Sequence, residues 1–423
     1  MKILVIGSGG REHALCRAFD QSKEVTKIYC ANGNAGIAEI AECVNIKPDE
    51  IAKLADFAEN NEIDLTFVGG ETALALGVVD EFQQRDLKII GVSRQASQLE
   101  ASKSFAKDFM ARHDIPTAKY KTAKTVKEAV KILQSDEFGY ENAPVVVKAD
   151  GLAAGKGVVV ATNRAEAIAA VNDLENLVGA GASEKIVLEE CLIGKEVSLL
   201  MFADGKNFAL MPPARDHKRI GEGDTGANTG GMGVITDADL LTKEQEQVIV
   251  EQIIKPTLDG AQKEGFEFRG ILFLGLMMTE NGAKVLEYNV RFGDPETQAI
   301  LVRLETDFVE ICEAILNQTL DNLTLEWKKG SSACVVLAAK NYPNKPQTGD
   351  IITGIDAVKS VEQIVFHAGT AKNESEQFIT AGGRVLGVTA IGENLAEALQ
   401  KAYQAVDEIS FEGVQYRRDV GRT

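Results

Sequence analysis

The chain has 423 residues, 45% of them apolar and 26% charged, which predicts about two to four soluble domains with real cores. Lys plus Arg total 45 against 63 Asp plus Glu, a net charge of −18, and this excludes a DNA or RNA binder that tracks phosphates with a basic face. No run approaches the ~18 uninterrupted apolar residues of a membrane span, and the opening MKILVIGSGGREH lacks a signal-peptide layout.

The first hundred residues alternate between strand and helix patterns. Lys2–Ile6, Val25–Cys30, Asp64–Val68 and Lys88–Gly91 read as short apolar strands, with helical spacing at Arg11–Asp20, Asp49–Asn60 and Ala73–Phe82. Short continuous strands separated by helices predict a parallel sheet covered on both faces, with functional loops at the carboxyl ends of its strands. Those loops are Gly7–Arg11, Asn32–Gly36 and Gly69–Glu71. Residues 97–113 have the spacing of one helix leading into a second domain. There VVVKAD, VVVA, IVLEECL, EVSLLMFAD and NFALM are strands, with helices near 125–134 and 164–176. Asp204-Gly205 and Asn281-Gly282 predict antiparallel hairpins. The polar, glycine-laden stretch 212–233 is either disordered or a binding loop. SACVVLAAK, VEQIVFHAGT and GGRVLGVTAIG then form a strand-rich unit closed by a helix over Asn394–Glu408.

The glycine loop Gly7-Ser8-Gly9-Gly10-Arg11-Glu12 carries Glu12 where a dinucleotide fingerprint needs Gly or Ala, and no acid follows the second strand, which disfavours NAD. A glycine turn opening a helix can still offer backbone N–H groups to a phosphate; it can equally be a tight turn with no ligand. Asp150–Gly157 (DGLAAGKG) is not a P-loop, because three residues rather than four separate its glycines and no Ser or Thr follows Lys156. Lying between two strand patterns, it predicts a hairpin lid with Lys148 beneath it. In LEYNVRFGDPE, Glu287, Asn289 and Arg291 alternate and share one strand face. Two oxygen donors beside a cation suit a divalent metal together with an anion. The six cysteines, Cys16, Cys30, Cys43, Cys191, Cys312 and Cys334, show no zinc-ligand spacing and read as thiols of a reducing, cytoplasmic compartment.

DGLAAGKG, Glu189-Glu190 before Leu192 and Gly194, and Glu287-x-Asn289-x-Arg291 together resemble the ATP-grasp fold. GSGGREHA at 7–14, NAG at 34–36, DHKR at 216–219, the run 225–233, RFGDPETQ at 291–298 and RRDVG near the end extend the likeness to the phosphoribosylamine–glycine ligase family across essentially the whole chain. The resemblance implies a multidomain α/β and α+β protein. Residues 1–100 would be a Rossmann-like, parallel-sheet substrate domain, 101–325 an ATP-grasp domain with a lid at about 120–192, and 326–423 a strand-rich domain. It implies ATP-dependent joining of glycine to 5-phosphoribosylamine through glycyl phosphate, with Mg²⁺ or Mn²⁺, no nucleic-acid or membrane partner, and a monomer or weak homodimer. A different ATP-grasp ligase, or a module that binds ATP without turnover, are the competing readings.

Carried over by residue, Lys103, Lys148, Gly155, Lys156 and Gly157 would hold the ATP phosphates. Glu189, Glu190 and Leu192 would face adenine, largely through their backbone, and Glu196 would take the ribose hydroxyls. Glu287 and Asn289 would bind the metal, while Arg291, Asp216 and Lys218 would surround glycine and the acyl phosphate. Gly9, Gly10, Arg11, Glu12, Asn34, Ala35, Gly36 and Glu71 would accept the ribose phosphate, with Asn228 and Asp294 also on substrate. Gly70, Asn32 and Ala227 stand where the family commonly has proline, which predicts looser loops. Arg215 stands where the family has small or amide side chains, which predicts an altered surrounding for glycine.

Overall fold

The computed structural model describes residues 1–151, 157–178, 185–358 and 360–422. At the start of the chain, five parallel strands run in the order Glu42–Val44, Lys27–Asn32, Lys2–Gly7, Leu65–Val68, Ile89–Ile90. The central strand reads KILVIG and all but its first residue is buried, as a parallel strand covered on both faces requires. The edge strand Glu42–Val44 was not predicted; at three residues it is too short to show periodicity.

Two helices expected to be continuous are broken. Residues 71–84 form Glu71–Ala75 and Val78–Gln84, divided at Gly77, whose φ of 88° lies in the left-handed region. Residues 98–112 form Gln98–Ala101 and Lys103–Arg112, because Ser102 is extended and its hydroxyl accepts from the Phe105 N–H. Asp150 completes this junction: it accepts from the Ser104 N–H at 2.6 Å and lies 3.2 Å from the Ser102 hydroxyl. The Ser102 cap, not a break in apolar spacing, places Lys103 at a helix start beside the lid, where its ammonium donates to the Gly151 carbonyl.

A four-stranded antiparallel sheet, in the order Tyr120–Ala123, Ile186–Glu190, Val145–Ala149, Val158–Ala161, has its own small core under helices Val126–Leu133 and Arg164–Val178. Among the described residues, the largest sheet has nine antiparallel strands. Gly282–Asn289, Arg269–Thr279, Lys195–Asp204, Ala214–Asp216, Gly233–Thr236, Ser331–Ala338, Arg384–Gly392 and Gln363–His367 follow in that order, with Phe208–Leu210 paired beside Lys195–Asp204. This sheet continues across residue 326. Both expected hairpins are present, and Gly282 turns the second with φ 104°. The 212–233 stretch is ordered as paired strands, including the hairpin Arg219–Gly221 with Thr225–Asn228. Among the described residues no helix is long and apolar enough to cross a membrane.

Candidate active site

The cleft lies between the lid sheet and the large sheet, and buried charges join its walls. Lys148, on lid strand Val145–Ala149, donates to the Leu286 carbonyl at 3.2 Å across the cleft. That carbonyl is available because strand Gly282–Asn289 bulges there: Gly275 pairs with Glu287 and Leu276 with Val285, leaving Leu286 unopposed. Glu189 pairs with Lys148 at 2.9 Å and with Lys107 at 2.9 Å. Lys107 and Glu189 are each 2% exposed, so this is a buried two-lysine, one-carboxylate cluster. Burial pushes Lys107 down to about 8, although Glu189 opposes the shift. Burial also lowers Lys103. Lys107 was not among the predicted site residues; its spacing of four from Lys103 on one helix was the available signal.

Glu190 is held at the cleft mouth by the Lys119 N–H at 3.0 Å and Lys284 at 3.1 Å. Cys191 and Leu192 follow, half-buried, before an exposed Ile193. The Gly157 carbonyl closes the lid hairpin by accepting from the Ala149 N–H. Gly155 and Lys156 lie outside the described residues.

Opposite the lid, Glu196 meets Lys218 at 3.1 Å, and Lys218 lies 3.8 Å from Glu287. Burial would lower the Lys218 ammonium, but Asp216, Glu196 and Glu287 outweigh it and raise it well above the ordinary lysine range. Burial raises Asp216 despite Lys218. For Glu287, burial acts upward, while Lys218, Lys148, Lys103 and Arg291 hold the carboxyl below its ordinary range. Arg291, just past the strand end, keeps the shared face: it donates to Asn289 Oδ1 at 3.1 Å and pairs with Glu100 at 2.7 Å and Glu71 at 3.2 Å. Glu71 would be raised by burial, but Arg291 and Arg11 hold it at about 2.

The oxygen donors that could hold a divalent ion here are Glu287, 40% exposed to the cleft, and the remaining lone pair of Asn289 Oδ1. No cluster of three His, Cys, Asp or Glu able to hold a metal occurs among the described residues. One carboxylate and one amide fit an ion that takes its other ligands from phosphates and water.

The first-domain loop borders this cleft. Glu12 accepts from the Gly9 N–H at 2.6 Å and from Arg11 Nε at 2.6 Å. Its side chain fills the space over Gly7 and Gly69, where a Cβ at either would collide with it. The residue that broke the dinucleotide pattern thus braces the loop. Arg11 also donates to the Phe292 carbonyl, while Gly10 begins helix Gly10–Asp20. The Asn34 amide is engaged with backbone on every side: it donates to the Ser8 and His367 carbonyls and accepts from Gly36 and Ile37 N–H groups. Ala35 N–H reaches the Thr370 carbonyl. Asn34 therefore shapes the loop and ties it to the last unit.

Asp294 accepts from Gln298 at 2.7 Å and pairs with Arg384 at 3.1 Å; Arg384 also donates to the Gly230 carbonyl. Arg384 was missed, because nothing in GGRVLGVTAIG marks one arginine as reaching a site ninety residues earlier. Asn228 closes the hairpin opposite Arg219. Strand alternation sends Arg215 away from Asp216, onto the face of His217, whose imidazole is pushed down to about 4 by burial, with Arg417 and then Arg215 adding to it. The expected disturbance around Asp216 and Lys218 therefore does not arise from Arg215.

Glu296, 4% exposed, was also missed as a chemical group. Burial, then Asp216, pushes its carboxyl up to about 8, against Arg291 and Lys218. Its folded value lies above its ordinary value, so its stability contribution is present at low pH and lost as pH rises toward 8. Glu296→Gln should flatten that loss in urea unfolding followed between about pH 5 and 9; parallel pH dependences for the two proteins would contradict the assignment.

The comparisons with known proteins bear on the whole chain. Residues 1–100, 101–297 and 332–423 match family models described as the N domain, the ATP-grasp (A) domain and the C domain of phosphoribosylglycinamide synthetase. The chain belongs to the phosphoribosylglycinamide synthetase family. A phosphoribosylamine–glycine ligase of Caldanaerobacter subterraneus subsp. tengcongensis is 47% identical over 421 residues, 99% of each chain. One from Pseudomonas aeruginosa is 47% identical over 426 residues, 100% of this chain and 97% of the relative. The crystal structure of the Thermotoga maritima phosphoribosylamine–glycine ligase superposes with TM-score 0.85 at 32% identity over all of both chains. A biotin carboxylase domain from Hydrogenobacter thermophilus, solved with magnesium ADP and bicarbonate, has TM-score 0.76 at 18% identity over 98% of this chain and 91% of its own, a likeness of fold.

The matched N domain contains the Gly9–Glu12 loop, whose Arg11 meets Glu71 at 4.0 Å and donates to the Phe292 carbonyl, while Glu71 pairs with Arg291.

Proposed function

We propose that the protein is an ATP-dependent ligase that joins glycine to 5-phosphoribosylamine, giving glycinamide ribonucleotide, ADP and phosphate in purine biosynthesis. One observation carries this reading: Lys103, Lys148, Glu287, Asn289 and the braced glycine loop face one cleft in a chain that belongs to this family.

Lys103 and Lys148 hold the ATP phosphates, and Lys148 is held in turn by Glu189 and the Leu286 carbonyl. Glu190 and Leu192 offer backbone to adenine, and Glu196 reaches the ribose hydroxyls. A bound magnesium ion, held by Glu287 and Asn289, would neutralise phosphate charge. A carboxylate oxygen of glycine attacks the γ-phosphorus, the bond to the bridging β–γ oxygen breaks, and ADP leaves. The amine nitrogen then attacks the carbonyl carbon of glycyl phosphate. Phosphate departs with the former carboxylate oxygen, and the nitrogen loses one proton as the amide forms. Arg291, Asp216 and Lys218 orient glycine and offset charge on the acyl phosphate, so catalysis rests on positioning and electrostatics rather than on a protein nucleophile. Gly9, Gly10 and Arg11 take the ribose phosphate, with Glu71 and the Asn34–Gly36 turn shaping that pocket. Asn228 and Asp294 flank the substrates. The free thiols at all six cysteines suit a cytoplasmic location.

Arg384→Ala tests the outer wall. Losing its contacts to Asp294 and Gly230 is expected to raise KM for phosphoribosylamine about tenfold, with KM for ATP nearly unchanged. Initial rates at varied concentrations of each substrate check this, and a rise confined to ATP would contradict it.

A further inference from the structure

Segment 416–422, which contains the RRDVG motif, lies against the loop that carries Asp216 and Lys218. Arg417 is fully buried. It grips Asp419 through Nε at 2.8 Å and Nη2 at 2.7 Å, and donates through Nη1 to Asp224 at 2.6 Å and to the Arg219 carbonyl at 3.3 Å. Asp419 in turn accepts from the Gly223 N–H at 2.8 Å, and Glu222 accepts from the Arg418 N–H at 3.2 Å. The segment is itself anchored: Tyr403, on helix Leu395–Glu408, donates to the Arg417 carbonyl and accepts from the Val420 N–H.

The hairpin it grips has no core of its own. Residues 222–227 are all exposed, and a Cβ at Gly223 would meet nothing within 4 Å. Polar contacts from this segment therefore set where the hairpin tip lies. The grip continues to the hairpin's base, where the Gly421 N–H donates to His217 Nε2 at 3.0 Å and Val420 packs where a Cβ at Gly233 would stand. His217, 3% exposed, separates Asp216 from Lys218 in sequence; its Nδ1 lies 3.3 Å from the Gly233 carbonyl, so the ring bridges two backbone segments.

We propose that Arg417 is a positioning residue for the ligation: held by Asp419, it fixes the Arg219–Asn228 hairpin through Asp224 and the Arg219 carbonyl, and so sets Asp216, Lys218 and Asn228 around glycine. This rests on the reading that Asp216 and Lys218 flank glycine. The ion pair to Asp224 is the part that can be cut without opening the core, because the Asp224 side chain is 55% exposed.

Asp224→Ala is expected to raise KM for glycine about tenfold, the size of one charge-assisted hydrogen bond. KM for ATP and the melting temperature should stay near those of the parent protein. Arg417→Gln should act in the same direction and more strongly, and the double variant should be no worse than Arg417→Gln alone, since both cut one link. An unchanged glycine KM in folded Asp224→Ala would overturn the proposal, as would equal losses for all three substrates with a lowered melting temperature, the pattern of a purely structural contact. Asp216→Asn separates the two levels. If it raises the glycine KM while Asp224→Ala does not, positioning by Arg417 is wrong and the substrate reading stands; if Asp216→Asn leaves it unchanged, both fall.

Discussion

Replacing Glu287 with glutamine is expected to reduce turnover about 10³-fold while leaving the fold intact, a loss of ~4 kcal/mol of transition-state stabilisation. Glu287 supplies the one carboxylate of the proposed metal site, and its side chain is open to the cleft rather than packed, so the glutamine variant forfeits charge without creating a cavity. Its loss also frees Lys218, Lys148 and Lys103 from the carboxylate that faces them. The expected signature is a fall in kcat together with a higher Mg²⁺ requirement, measured as ADP release at a series of Mg²⁺ concentrations. A variant with near-normal turnover at limiting Mg²⁺ would remove Glu287 from the metal site.

Glu189→Gln should have the largest effect on stability. It leaves Lys107 and Lys148 facing each other, 2% and 8% exposed, with no anion between them. Breaking a buried ion pair by removing one partner costs ~3–5 kcal/mol, and burial already pushes Lys107 down to about 8. The variant should therefore unfold at markedly lower urea concentration and bind ATP weakly, because Lys148 loses the group that orients it. Recovery as pH rises toward about 8 is the distinguishing sign: without Glu189 to hold it up, burial lowers Lys107 further, so in the variant it sheds its proton at lower pH than in the parent and the gap should narrow over that range. A gap that is constant with pH would mean that packing, not charge, makes Glu189 necessary.

Much of this was legible in the residues. The alternation of Glu287, Asn289 and Arg291 marked a shared face, and the structure keeps these side chains together even though the strand ends at Asn289. The parallel sheet was legible because each of its main strands is a short apolar run bounded by glycines. Local chemistry that competes with periodicity was harder to see: Ser102 and Gly77 each interrupt a helix whose apolar spacing continues past them. Least legible were long-range partners. Asn34 meets His367 across 333 residues and Arg417 meets Asp224 across 193, and such pairs follow from which strands become neighbours, not from any local pattern. Glu189 illustrates the consequence. Its place in the motif suggests adenine contacts through the backbone, and nothing local marks the further role of its side chain, which turns inward to serve two lysines.

The reaction is read most directly as ADP release from Mg²⁺-ATP with glycine, with and without phosphoribosylamine generated in place from ribose 5-phosphate and ammonia. The structure and its family predict turnover that requires both substrates and yields glycinamide ribonucleotide, identified by mass. ADP release supported by another carboxylate or another amine, with no such product from glycine and phosphoribosylamine, would contradict the account while leaving the ATP cleft in place.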